Sequence, residues 1–190
     1  TNIEPIADNG TVTLGSSGDT FTVPSGVTVN MSSATQTGVG GVNTPAFLAY
    51  SANGQSQTVS DATSTKLDFE TELYDTDSAF SSDTKFTVPS GKAGKYQFSA
   101  NVSWYHDGGQ FSRAFISLYK NGSEFMRFER RGSNIYNGSY SQQSLNFTVD
   151  DDASAGDYYE VYGYFENITT TYTSSSFTMA NFFKGFRIKS

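Results

Sequence analysis

The 190 residues suffice for a domain of about 150 residues with an extension, or for one larger β domain, and can close a core without staples. A net charge of −7 sets the chain against phosphate backbones, so nucleic-acid binding is not expected. There is no cysteine, which excludes disulfide scaffolds and thiolate metal sites, and no apolar run approaches the roughly 20 residues of a membrane span, so no membrane insertion is expected.

Aromatic residues make up 15% of the chain, with 16 Phe and 12 Tyr, and Gly, Ser, Thr and Asn fill the spaces between them. Strands favour β-branched and aromatic side chains, and turns favour Gly, Asn and Asp, so the chain reads as all-β. Residues 1–44 stand apart, with no Lys or Arg and Phe21 as their one aromatic residue. Short polar–apolar units recur there, at Thr11–Ser16, Thr20–Gly26 and Thr28–Ser32. One such rung cannot bury its apolar row alone. The segment therefore reads either as a short β-rich repeat or stalk stacked with other chains, or as a flexible Gly/Ser/Thr linker. The hexapeptide Phe-Thr-Val-Pro-Ser-Gly occurs at 21–26 and again at 86–91. Both copies fit a strand ending in a Pro-containing turn, as convergent local chemistry and not as a domain repeat.

Dense aromatic strands begin at Pro45, and residues 45–190 read as a second domain. Strands are expected at Phe47–Tyr50, Lys66–Tyr74 and Lys85–Val88. The clearest runs from Lys95 to Tyr105, with Tyr96, Phe98, Ala100, Val102 and Trp104 on one face and polar residues on the other. Arg113–Tyr119 leads through Asn121-Gly122, a strong hairpin signal, to Glu124–Arg130. Ser144–Val149, Asp157–Phe165 and Phe177–Ile188 complete eight to ten strands without a convincing helix, which suggests a sandwich or jelly roll.

From Pro45 onward the order of landmarks resembles the C1q-like globular domain, a relative of the tumour necrosis factor jelly roll. Phe69, Asp75 and Phe80 match the spacing of that family's opening signature. Phe86 comes one residue early, Gly94-x-Tyr96-x-Phe98 two residues late, and Ala100 stands where the family has its last aromatic. Leu118–Gly122 resembles the family's hairpin, Gly156–Val161 its Gly-Asp strand, and Phe183–Phe186 the Phe-x-Gly-Phe of its closing strand. The resemblance implies a ten-stranded jelly-roll sandwich that assembles as a homotrimer. Some C1q-like trimers hold calcium near the axis, but no such ligand set maps onto this sequence, so no cofactor or metal ligand is assigned.

The aromatic excess fits a trimer. Tyr158, Tyr159, Tyr162 and Tyr164 populate both faces of one strand, as do Phe182, Phe183 and Phe186 of another, and a strand apolar on both faces is buried on both. These seven residues are the candidate trimer interface. A Thr/Ser/Gly-rich segment, a C1q-like head and the lack of cysteine also resemble fibre and tail proteins of bacterial viruses. The expected protein is thus a non-enzymatic virion structural protein that attaches to a host-surface glycan or protein, with residues 1–44 binding other virion proteins. A secreted C1q-like adhesin or lectin is the alternative, followed by a virion decoration protein or a polysaccharide-degrading enzyme.

Candidate contact loops are Tyr105-His106-Asp107, which contains the single histidine, and Gly132–Tyr140, where Tyr136 and Tyr140 offer the rigid amphipathic rings that recognition loops use. No Gly-x-Ser-x-Gly elbow accompanies His106, so no catalytic residue is assigned. Glu70 and Glu72 on one predicted strand do not build the cleft a glycosidase needs. Asp150-Asp151-Asp152 reads as a solvated turn, and Arg127, Arg130 and Arg131 as a charged edge that discourages strand pairing.

Overall fold

A computed structural model of the chain describes residues 18, 20, 22–28, 44–52, 56–106, 112–131, 141–166, 171–174 and 179–188. The chain divides into two units, Thr1–Val39 and Gly40–Ser190. In the first, the described residues hold no strand, and most of the expected repeat lies outside them. They do contain one copy of the repeated hexapeptide's turn. Val27 N donates to Pro24 O at 3.2 Å, with Gly26 at φ +84°. In the second copy Lys92 N donates to Pro89 O at 3.1 Å, with Gly91 at φ +74°. The same four-residue turn, with glycine supplying the positive φ at its third position, forms at both places.

The described residues of the second unit form strands β1 (Ala46–Tyr50), β2 (Ser56–Val59), β3 (Thr65–Lys66), β4 (Thr71–Asp75), β5 (Phe80–Ser81), β6 (Lys85–Thr87), β7 (Gly94–His106), β8 (Arg113–Lys120), β9 (Ser123–Arg131), β10 (Ser141–Ala153), β11 (Tyr158–Glu166), β12 (Thr171–Ser174) and β13 (Phe182–Arg187). They build two antiparallel sheets. In the first, β4, β1, β13, β7 and β10 lie side by side, and β12, with β2 beyond it, takes over the same edge of β7 where β13 stops. In the second, the order is β5, β6, β11, β8, β9, with β3 also on β11. The strands number more than ten because several are pieces of two to four residues. The all-β sandwich expected from the sequence is thus present.

One expected strand is split. Lys66–Tyr74 reads as continuous, yet β3 belongs to the second sheet and β4 to the first. The linking residues cross the open side of the sandwich and seal it with Leu67 and Phe69, 2% and 1% exposed. Glu70 therefore lies outside the strand that carries Glu72, and its carboxylate accepts from Ala52 N at 3.1 Å.

The alternation in β7 sends Tyr96, Phe98, Ala100, Val102 and Trp104 into the core, as expected. Phe98 stacks against Tyr159 of the opposite sheet at 4.1 Å, and Phe47 against Phe86 at 4.6 Å. Phe183 meets Phe47 edge-on at 4.9 Å. Gly185 sits between these rings. A Cβ there would lie 2.6 Å from Phe98 and 2.9 Å from Phe47.

Where β13 ends, its preceding residue Asn181 continues the pairing with a side chain. Its Oδ1 accepts from Ser103 N at 2.6 Å, between the stretch of β7 held by β13 and the stretch held by β12. The opposite end of the sandwich is tied by Lys120, which reaches Asp151 at 2.7 Å and Asp157 at 3.0 Å. Asn121 and Gly122 form the expected two-residue hairpin with φ +52° and +78°, and Asn121 Nδ2 donates to Asp157 at 2.8 Å. That bond first, and then those from Ser154 N and Lys120, hold the Asp157 carboxyl below its ordinary value. Burial pulls the Lys120 ammonium down, but its bonds to Asp151 and Asp157 outweigh it, so its pKa ends raised.

Two outcomes are expected. Gly185→Ala overpacks the ring cluster and costs about 2 kcal/mol, read as a lower urea midpoint at unchanged slope. Asp157, depressed in the fold, contributes stability above its unfolded pKa of about 3.9 that is lost as pH falls through its folded value. Lys120, raised in the fold, contributes stability below about pH 10.4 that is lost as pH rises through its folded value. Thermal melts across pH should show both flanks, and Lys120→Met should flatten the alkaline one.

Candidate functional site

The outer face of the second sheet follows from alternation in β8 and β11. Ala114, Ile116 and Leu118 point inward, as do Tyr159, Val161 and Phe165. Phe115 and Tyr119 therefore share the outer face with Tyr158, Tyr162 and Tyr164. Phe115 and Tyr164 are direct cross-strand partners and stack at 4.5 Å with a 7° interplanar angle. Tyr119 and Tyr162, diagonal neighbours, stack at 4.0 Å. Cations cover the rings: Arg127 lies 3.9 Å from the Phe115 centroid, Arg113 5.4 Å from that of Tyr164, and Lys66 5.9 Å from that of Tyr162. Each cation is held by a carboxylate. Arg113 grips Glu129 with two bonds of 3.1 Å, Arg127 grips Glu124 with two of 2.5 Å, and Lys66 reaches Glu160 at 2.6 Å. Arg113 first, then Arg131, bring the Glu129 carboxyl down to about 2.

This arrangement corrects the aromatic argument made from the sequence. Tyr159 and Phe183 are fully buried in the core of one chain, so they cannot form a subunit interface. Tyr158, Tyr162 and Tyr164 keep part of their surface in water, and Tyr162 and Tyr164 stack on rings of their own chain. Phe182 and Phe186 lie on the outer face of the first sheet. The sequence reading missed the residues around them. Leu48 and Tyr50 alternate with the buried Phe47 and Ala49, and Tyr74 pairs with Leu48. Tyr50 pairs with Phe182, Leu48 with Lys184 and Ala46 with Phe186, so β4, β1 and β13 carry one half-face that is apolar apart from the Lys184 side chain. The other half, on β7 and β10, is polar.

One edge of each sheet bears an extra, exposed apolar residue at a bulge. In β4 it is Leu73, 57% exposed, between the residues that pair with Leu48 and Ala49. In β9 it is Phe125, 40% exposed, between those that pair with Leu118 and Tyr119, with Phe128 nearby at 46%.

The expected contact loops flank strand ends that gather at one end of the sandwich. His106 pairs with both Ser141 and Thr171, and Arg113 with both Arg131 and Glu166. Tyr105 and His106 end β7, while Asp107, Tyr136 and Tyr140 lie outside the described residues. Of the acidic run, Asp150 accepts from Gln97 and Asp151 from Lys120 and the Tyr159 hydroxyl. These bonds commit Asp150 and Asp151 to the protein's own donors, and the run lies in β10 and not in the solvated turn expected of it. Among the described residues no group of three or more His, Asp or Glu side chains is placed to hold a metal ion.

No known family model matches the chain, and neither does any curated protein. Solved structures do. The globular domain of zebrafish complement 1qA protein matches with a TM-score of 0.52 at 15% identity, covering 77% of this chain and 98% of that one. The structure of Eiger TNF from S. frugiperda matches with a TM-score of 0.54 at 11% identity, covering 76% and 92%. At these identities the likeness establishes the fold, and the chain carries a jelly roll of the kind found in C1q and TNF globular domains.

Proposed function

We propose that the chain is a non-enzymatic, homotrimeric recognition head, carried on a virion as a fibre- or tail-type protein and attaching to a host surface. The observation that carries the assembly is a mismatch of two apolar surfaces. One is the half-face of Leu48, Tyr50, Tyr74 and Phe186 on the first sheet. The other is the β9 edge with Phe125 and Phe128. They belong to different sheets and different strands, so one can dock on the other in a second copy, and such head-to-tail contacts close into a ring where the rotation allows. An obligate interface of this sort buries on the order of 2,000 Å² or more.

The non-enzymatic reading rests on the polar chemistry. Glu70 is bonded to a backbone amide, and the carboxylates of the second sheet are committed to arginines and lysine. The loop-bearing end, repeated three times around an axis, supplies equivalent weak contacts whose avidity suits surface attachment. The Thr/Ser/Gly-rich first 44 residues and the absence of cysteine favour a particle protein over a secreted one.

Light scattering at micromolar concentration should report a mass three times 20.6 kDa. Phe128→Asp and Tyr74→Asp should each give a folded species of one chain mass, with circular dichroism unchanged. A wild-type monomer would sink the assembly. Purified head should also compete with virus for host cells, and failure to block adsorption at saturating protein would remove the attachment role.

A further inference from the structure

Two sheet margins carry the exposed apolar side chains of the head, and they differ in charge. Among the described residues of the second unit, the exposed large apolar side chains are Leu73 and Tyr74 on β4 and Phe125 and Phe128 on β9. Around β4, residues 67–77 hold five carboxylates and no cation. Strand β9 holds three arginines against two glutamates, a basic margin in a chain whose net charge is −7. Of the acids near β4, Asp77 pairs with Lys92 at 3.4 Å, Asp75 accepts from Phe80 N at 2.7 Å, and Glu70 accepts from Ala52 N. Glu72 is exposed and bonds to no described residue.

Register places the charges. Glu72 pairs across the ladder with the buried Ala49, which puts it on the core-facing side of the last strand of the first sheet. Strand β9 repeats this placement with the opposite sign. Phe128 and Arg130 pair with the buried Ile116 and Ala114, so both lie on the core-facing side of the last strand of the second sheet, and both are exposed there. Inward charges on a margin strand oppose edge-to-edge pairing whatever their sign. The signs here add a second effect. Charges of one sign on both margins would repel a second copy in every arrangement of the two. An acid on one margin and a base on the other oppose contact between like margins and favour contact between unlike ones. Like margins meet in a twofold dimer, where one patch serves both copies, and unlike margins meet head to tail, the arrangement from which rings close.

We propose that Glu72 of each copy pairs with Arg130 of the next, beside a contact of Leu73 and Tyr74 with Phe128, and that this charge pair selects head-to-tail rings over twofold dimers. The inference rests on the assembly proposed above and names the residues that set its direction. The pair lies at the rim of the contact, where charges govern register and choice of partner more than affinity. The apolar side chains beside it supply the burial.

Sedimentation velocity across a dilution series of the whole chain tests it. Glu72→Arg and Arg130→Glu should each raise the concentration at which trimer forms about tenfold, and the two together should return it to within about threefold of wild type. Added salt, from about 50 mM to about 500 mM, should narrow the gap between the single variants and wild type, because it screens the attraction in one and the repulsion in the others. Glu72→Gln and Arg130→Gln, neutral replacements, give a milder second route, and each should weaken assembly about threefold. Thermal melts check that each variant keeps its fold. A double reversal that assembles no better than the single ones, or single reversals that assemble as wild type does, would overturn the proposal and leave the trimer standing. Wild-type protein with the mass of one chain or two at every concentration would remove the ring and the charge pair together.

Discussion

The closing strand and the first strand meet at a point where no side chain fits. Gly185 of β13 lets the rings of Phe98 and Phe47 approach the backbone, and Phe183 next to it inserts edge-on against Phe47. Because β13 lies between β1 and β7, this contact fixes the spacing of three neighbouring strands at once. Phe98 then reaches across to Tyr159, which registers the second sheet against the first. Everything on the outer faces follows from that registration. With a period of two, an inward Phe183 obliges Phe182, Lys184 and Phe186 to face out.

Much of this was legible in the chain. Strict alternation in β7 predicted its buried face residue by residue, and Asn121-Gly122 predicted its turn. The Pro-Ser-Gly turns were legible at both places because a four-residue turn is decided locally. The split of Lys66–Tyr74 was not. Leu67 and Phe69 alternate as strand residues do, but they fill the gap between sheets, and only the tertiary structure distinguishes these cases.

Counting rings was the weaker inference. Whether Tyr162 and Tyr164 need another chain depends on what β8 sets opposite them, more than 40 residues away in sequence. The answer is Phe115 and Tyr119, with Arg113, Arg127 and Lys66 laid over the faces. The signal existed, since Arg113, Phe115, Ser117 and Tyr119 alternate with Ala114, Ile116 and Leu118, but the sequence leaves the partner strand open. The polar pairs of β7 and β10 were equally hidden. Read singly, Ser99, Asn101, Asn146 and Thr148 are ordinary polar residues, and only the register shows that Ser99 bonds Thr148 while Asn101 turns from Asn146 to Ala180 O.

The bulges at Leu73 and Phe125 decide how such sandwiches can multiply. A straight, regular margin would let each added molecule prolong the sheet through its backbone, and growth by that route has no natural end. An inserted residue spoils the template, because two amides then face one, and the margin twists out of line. It also pushes a greasy knob into the space a docking backbone would need. At these two margins a further copy can join only through side-chain surfaces. At the β4 and β9 margins the two inserted residues thus work against open-ended growth of the sheets.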